Sequence, residues 1–255
     1  CNMAGHSKWA NIKHRKKKQD KKKAKLFSKL TRKITVAARE GGGDPEMNAD
    51  LAFAIDKAKE NDMPKENIEK AIKRGTGELE GVDYKQFKYE GYGPGGVALY
   101  FDIMSDNRNR TASELRHILS EHGGNLGEDG CVAWMFERKG QIIIDLKSTD
   151  LDEEEVMMEA IEAGAEDVET EDDTITVYTE TNDFQDVKAE LKKKGFEFVE
   201  SDLAMVPNNT IKVEKSDAKK LLNLMEELED HDDIQEVYSN FDIPADVMEQ
   251  IENEE

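Results

Sequence analysis

A chain of 255 residues with 36% charged and 37% hydrophobic side chains is too long for one small core and too periodic in its apolar positions for disorder. Its longest apolar runs, Val97 to Phe101 and Ile142 to Ile144, are too short for a membrane span, and no apolar stretch follows the basic N-terminus as in a signal peptide. The net charge of −21 hides a segregation: residues 1–80 carry 20 bases against 12 acids, residues 81–255 carry 16 against 45, and Lys8 to Arg39 holds 14 bases with one acid, Asp20.

In chain order, Cys1 and Asn2 read as residues ahead of a natural start at Met3, with no import sequence before it. From Asp20 to Glu40, Phe27, Leu30, Ile34 and Ala37 recur at three- and four-residue spacing, which predicts one amphipathic helix ended by Gly41-Gly42-Gly43. Asp44-Pro45 predicts the start of a second helix with Leu51, Ile55 and Ala58 inward. Pro64 opens a third, with Ile68, Ala71 and Ile72 inward and Gly75 at its end. No glycine lies between the second and third helices, which argues against a helix-turn-helix reading unit. Gly91 to Gly96 reads as a rigid turn, because a phosphate loop would need Lys-Ser/Thr and a following helix. Val97–Met104 predicts a buried strand, Thr111–His122 a helix opened by a Thr111/Glu114 capping box, and Val132–Phe136 a strand.

Next come a strand at 142–146, a helix at 152–163, strands at 167–170 and 174–178, a helix at 184–194 and a strand at 196–206. This is the order of the ferredoxin-like split motif. After Pro207, a strand (210–213), a helix (218–229) and a strand (234–238) supply what 97–138 lacks for a second such unit. The expected fold is therefore α+β and multidomain: a basic three-helix bundle (3–80) and two ferredoxin-like α/β domains. One of these is discontinuous (81–138 and 207–243), the other inserted (139–206), and 244–255 forms an acidic tail. Three consecutive domains are the alternative.

Phosphate neutralisation needs several cations on one surface. Lys8, Lys13, His14, Arg15, Lys16, Lys17 and Lys18 precede the first helix, and Lys21, Lys22, Lys23, Lys25, Lys29, Arg32 and Lys33 continue onto it. These are the candidate nucleic-acid contacts. A basic amphipathic helix also suits a membrane surface, but the apolar stripe is claimed by the bundle and the acidic remainder repels anionic lipid. Trp9 either pins this segment to a neighbouring domain or stacks on a base. Arg108 and Arg110, at the entrance of the 111–122 helix, form a second candidate anion site. His117 and His122 lack catalytic or metal-ligand spacing, and the acidic clusters Glu153-Glu154-Glu155 and Glu226 to Asp233 match no calcium loop, so they read as solvated faces. No metal, cofactor or small-molecule substrate is expected. The lone Cys131 fits a reducing cytoplasm.

Three separated motifs resemble the YebC family: Ala4-Gly5-His6-Ser7-Lys8-Trp9-Ala10-Asn11-Ile12-Lys13-His14-Arg15-Lys16, Glu90 to Ala98, and Asp106 to Arg116. The likeness runs from Met3 to about the C-terminus, with Cys131 where a small polar residue is more usual. The resemblance implies three domains and a role as a DNA-binding transcriptional regulator. The alternative it implies is a ribosome-associated translational activator contacting ribosomal RNA. Two other classes compete, a magnesium-dependent enzyme using the acidic clusters and a module whose basic helix binds an acidic protein.

Overall fold

A computed structural model describes residues 20–149, 152–171 and 173–252. Helix α1 (Asp20–Gly41) buries Leu30, Ile34 and Ala38 against α2 (Ala49–Glu60) and α3 (Lys65–Gly75), with Leu51, Ile55, Ala58, Ile68 and Ala71 opposite. The predicted stripe holds at Leu30 and Ile34, with Ala38 buried as well and Phe27 and Ala37 half-buried at its edge. Helix α2 starts five residues after Asp44, because the Asp44 carboxylate accepts the Glu46 N–H in a local turn (3.0 Å). Asn48 is the cap instead: its Oδ1 accepts the Leu51 N–H, and its Nδ2 donates to the Ala37 and Gly42 carbonyls, both at 2.8 Å. Gly75 permits α3 to touch α1, since a Cβ there would lie 2.4 Å from the Thr35 carbonyl oxygen. The α2–α3 connection is short even without glycine, because Asp62 takes the left-handed conformation (φ 58°) itself.

The first sheet begins with strand β1 (Lys85–Tyr92), which the sequence reading passes over, and β2 (Ala98–Ser105). The turn between them contains Gly95 and Gly96 at φ 71° and 75°, a conformation that favours glycine. Helix α4 (Arg108–Glu121) is capped by Asn107, which accepts the Arg110 N–H, so the predicted Thr111 cap is four residues late. Strand β3 (Asn125–Leu126) flanks β1. The strand predicted at 132–136 is instead a single 3₁₀ turn over Ala133–Met135. The Glu90 carboxylate accepts the N–H groups of Gly130, Val132 and Ala133 at 2.7–2.8 Å, removing donors that a strand would pair.

The second sheet follows: β4 (Phe136–Asp145), α5 (Glu153–Glu162), β5 (Asp167–Glu171), β6 (Thr174–Thr179), α6 (Phe184–Lys193) and β7 (Glu200–Pro207). Its order, β5-β6-β4-β7, with every pairing antiparallel, is the split βαββαβ arrangement. Asp152 and Glu155 close a capping box on α5. After β8 (Ile211–Lys212) and α7 (Lys215–Asp230), strand β9 (Ile234–Ser239) pairs with β2, giving the first sheet the order β3-β1-β2-β9. A bulge where Ile103 faces Ile234 but Asp102 faces Glu236 keeps both Ile234 and Val237 on the helix-covered face. Strand β10 (Phe241–Asp242) pairs with β8, and residues 245–252, read from sequence as acidic tail, form helix α8 (Ala245–Glu252) with Met248 and Ile251 in the first core.

Candidate nucleic-acid interface

Lys8, Lys13, His14, Arg15, Lys16, Lys17, Lys18 and Trp9 lie outside the described residues. Lys21 and Lys22 fall in the first turn of α1, with side chains outside the description. Lys23 is exposed, 3.7 Å from the Asp62 carboxylate and 5.8 Å from the Phe27 ring centroid.

Further along α1 the cations turn inward onto the corner where α7 runs into β9. Lys25 donates to the Asp230 carbonyl (2.9 Å) and lies 3.2 Å from its carboxylate, while Lys29 donates to the Glu229 carbonyl (2.7 Å). Two lysines thus sit at the negative C-terminal end of α7, where backbone carbonyls lack helical partners. Arg32 donates to the Met104 carbonyl (3.0 Å) and Asp233 (2.8 Å) and stacks 4.7 Å from the Tyr84 ring. Lys33 pairs with Glu236 at 3.1 Å. Burial works against the charged form of Lys33, but Glu236 and Asp202 outweigh it and push its pKa above the ordinary lysine value.

The second candidate cluster meets the first at one carboxylate. Asp233 is buried and accepts from Arg32 on one oxygen and from Arg110 (2.7 Å), Thr111 (2.8 Å) and Ser105 (2.9 Å) on the other. Burial alone would raise its pKa, yet the bonds from Arg110, Arg32, Thr111 and Ser105 hold it well below the usual carboxylate range. Arg110 also reaches Asp106 (3.0 Å). Asp233 therefore departs from the solvated acidic face that its sequence context predicts. Arg108 points elsewhere: it is exposed and lies 5.4 and 5.7 Å from the Phe87 and Tyr89 rings.

Glu114, His231 and Asp233 place ligand-type atoms within 4.8 Å of one another. Two guanidinium groups already occupy Asp233, His231 Nδ1 accepts the Asp233 N–H (3.1 Å), and its Nε2 lies 3.1 Å from Glu114. This chemistry suits an ion-pair hub, because a cation there would face both arginines.

Helix α2 docks on the second sheet. Lys57 donates to the Ser201 carbonyl (2.6 Å) and pairs with Asp202 (3.1 Å), Glu60 pairs with Lys188 (2.9 Å), and Phe53 packs edge-on against Phe184. Between α1, α2, β7 and the α7–β9 corner lies a cleft of about 740 Å³. Its ionisable lining is five lysines against eight carboxylates, which does not make a net positive surface for phosphate. No described helix is long and apolar enough to cross a membrane.

The family model for the TACO1/YebC N-terminal domain matches residues 7–78, and that for the TACO1/YebC second and third domain matches 84–241. A "probable transcriptional regulatory protein" of Halothermothrix orenii is 67% identical over 253 residues, covering 99% of this chain and 100% of that protein. One of the same description from Natranaerobius thermophilus is 58% identical over 248 residues, covering 97% and 99%. The crystal structure of a conserved hypothetical protein, Aq1575, from Aquifex aeolicus superposes with a TM-score of 0.79 at 46% identity, covering 88% of this chain and 92% of that one. With matched segments spanning the helical bundle and both sheets, the chain belongs to the TACO1/YebC family.

Proposed function

We propose that this chain is a cytoplasmic, non-catalytic regulator of gene expression of the YebC type that binds nucleic acid through the basic run from Lys8 to Lys23. The observation that carries this reading is the segregated charge, 14 bases and one acid from Lys8 to Arg39 in a chain of net charge −21. The names of its relatives support regulation. Among the described cations of α1, Lys25, Arg32 and Lys33 are paired with carboxylates, whereas the run before them has only Asp20 as an acid. Arg108, exposed beside Phe87 and Tyr89, is an accessory contact. DNA is the favoured polymer on the relatives' names. RNA on the ribosome is the second reading, favoured by the absence of a glycine-turn reading helix in the sequence. We also infer that 139–206 is a unit inserted between 81–138 and 207–243. In support, β4 to β7 pair only among themselves, and β9 returns to β2.

The test is a salt titration of binding. Log affinity falls with log salt by about 0.9 per phosphate neutralised on duplex DNA and about 0.7 on single strands. Replacing Lys16, Lys17, Lys18, Lys21, Lys22 and Lys23 with glutamine is expected to lower affinity and flatten the slope together, with circular dichroism retained because glutamine is a good helix former. Unchanged affinity and slope would remove the basic run as the interface. Crosslinking in cells with parallel sequencing of bound DNA and RNA separates the two polymers: recovery of ribosomal RNA alone favours the translational reading.

A further inference from the structure

Lys25, Lys29, Arg32 and Lys33 form one stripe along α1, covering about 12 Å of helix at 1.5 Å per residue. Every one of them meets an anionic or carbonyl group on the α7–β9 corner: Asp230, the Glu229 carbonyl, Asp233 and Glu236. These partners are unequal. The Arg32–Asp233 pair is buried, with side chains 13% and 5% exposed, and is tied to Arg110, Thr111 and Ser105. The Lys25–Asp230 pair is 43% and 57% exposed, and Lys33–Glu236 is 24% and 40% exposed. Water reaches both, and the 740 Å³ cleft lies alongside them.

From this geometry we propose that the α7–β9 corner is an internal competitor for nucleic acid, masking the inner cationic stripe of α1 with groups that stand where phosphates would bind. The proposal rests on the nucleic-acid reading above and adds regulation to it. In the closed state seen here, the stripe is engaged internally by the corner. When a polyanion engages the basic run ahead of the stripe, the adjoining phosphates compete with Asp230, Glu236 and the α7 carbonyl end for Lys25, Lys29 and Lys33. Arg32–Asp233, buried and bonded on both carboxylate oxygens, is the pivot that stays. Such exchange conserves charge pairing on α1, so it is driven by release of counterions from the nucleic acid and is most favourable at low salt. The apparent affinity of the closed protein is lowered by the fraction of molecules in which the stripe is open.

The test uses the full chain, a single-stranded RNA oligonucleotide and a random-sequence DNA duplex. Replacing Asp230 by Asn and Glu236 by Gln, the two exposed carboxylates of the corner, is expected to raise affinity about tenfold and steepen the salt slope, as added phosphate contacts require. A control removes the same charge far from the corner, as Glu153→Gln and Glu154→Gln, and is expected to raise affinity only about twofold through the long-range field. Adding Lys25→Gln, Lys29→Gln and Lys33→Gln to the first variant should abolish its gain. Hydrogen exchange on the unaltered protein gives a readout independent of any variant's folding: amides at the C-terminal end of α7 should lose protection when either polymer is added. Binding by the unaltered protein with no loss of protection, and equal gains in corner and control variants, would overturn the mask while leaving the binding function standing. Absence of binding to both polymers at low salt would overturn the function itself, and the mask with it.

Discussion

Taking a carboxylate out of water is costly unless its oxygens are filled, and Asp233 fills both with two guanidinium groups and two hydroxyls. Asp233→Asn turns an NH₂ toward some of those donors and leaves two arginines short of a counter-charge. It is expected to cost about 3–5 kcal/mol, the range for breaking one side of a buried pair, measured by denaturant unfolding at neutral pH. The pH dependence has a definite sign. Because the folded pKa of Asp233 is lowered, its contribution is complete above the ordinary aspartate value of about 3.9 and fades as pH falls through the folded value. The stability gap between the two proteins should therefore be constant near neutrality and narrow below about pH 4; a gap that stayed constant into acid would remove the carboxylate as its source. None of this was legible from sequence. Asp233 follows Asp232 in an acidic run, and Arg32 lies 201 residues away, so local pattern cannot separate the buried acid from its solvated neighbour.

At the scale of elements, what could be read depended on whether apolar spacing or a distant partner decided the backbone. The bundle stripe and the βαββαβ order follow apolar periodicity and were legible. Strand β1 was not, because its buried half includes the ionic Glu90, filled by three N–H groups from 130–133, and its aromatics Phe87 and Tyr89 are covered by Arg108 from α4. The turn at 133–135 owes its shape to the carboxylate of Glu90, more than forty residues earlier. Helix α8 was masked by composition: Val247, Met248 and Ile251 have helical spacing, but they lie among glutamates. Since Met248 and Ile251 are 4% and 6% exposed in the first core, Ile251→Ala is expected to destabilise by about 2–4 kcal/mol, read as a lower thermal midpoint. A change within about 0.5 kcal/mol, as surface substitutions give, would return 245–252 to the status of a tail.

At the scale of the whole molecule, the segregation of charge was visible from sequence, but its internal use was not. A run of lysines reads as an outward surface until the fold brings an acidic corner against it. The apolar clusters of the described residues bear on the inserted-unit reading in the same physical terms. Three large ones respect its boundary, and two small ones cross it, where Met205, Ala204 and Val206 pack near Tyr100 and Tyr238. The first-sheet core draws no residue from 139–206, the bundle core draws none either, and the second-sheet core takes only Phe53 from outside that stretch. Phe136 faces Pro207 and Arg138 faces Met205 on adjacent antiparallel strands, so 138 and 207 lie two residues out of register, about 8 Å apart, within reach of a short linker. A chain in which 138 is joined to 207 by a short glycine linker is therefore expected to melt cooperatively. Its denaturant slope should be smaller in proportion to the lost surface. Its midpoint should also fall, because the Lys57–Asp202 and Glu60–Lys188 pairs and the packing of Met205 and Val206 near Tyr238 go with the excised stretch. Residues 136–207 alone are expected to fold as well, with Phe53 missing from the main core and Tyr100 and Tyr238 from the two small clusters at its edge. Loss of cooperativity in the excised chain, with 81–138 folding alone, would instead make the domains consecutive. That second outcome requires 81–138 to do without α7 and β9, which supply Leu221, Leu224, Met225, Leu228, Ile234 and Val237 to the core that α4 and β2 share.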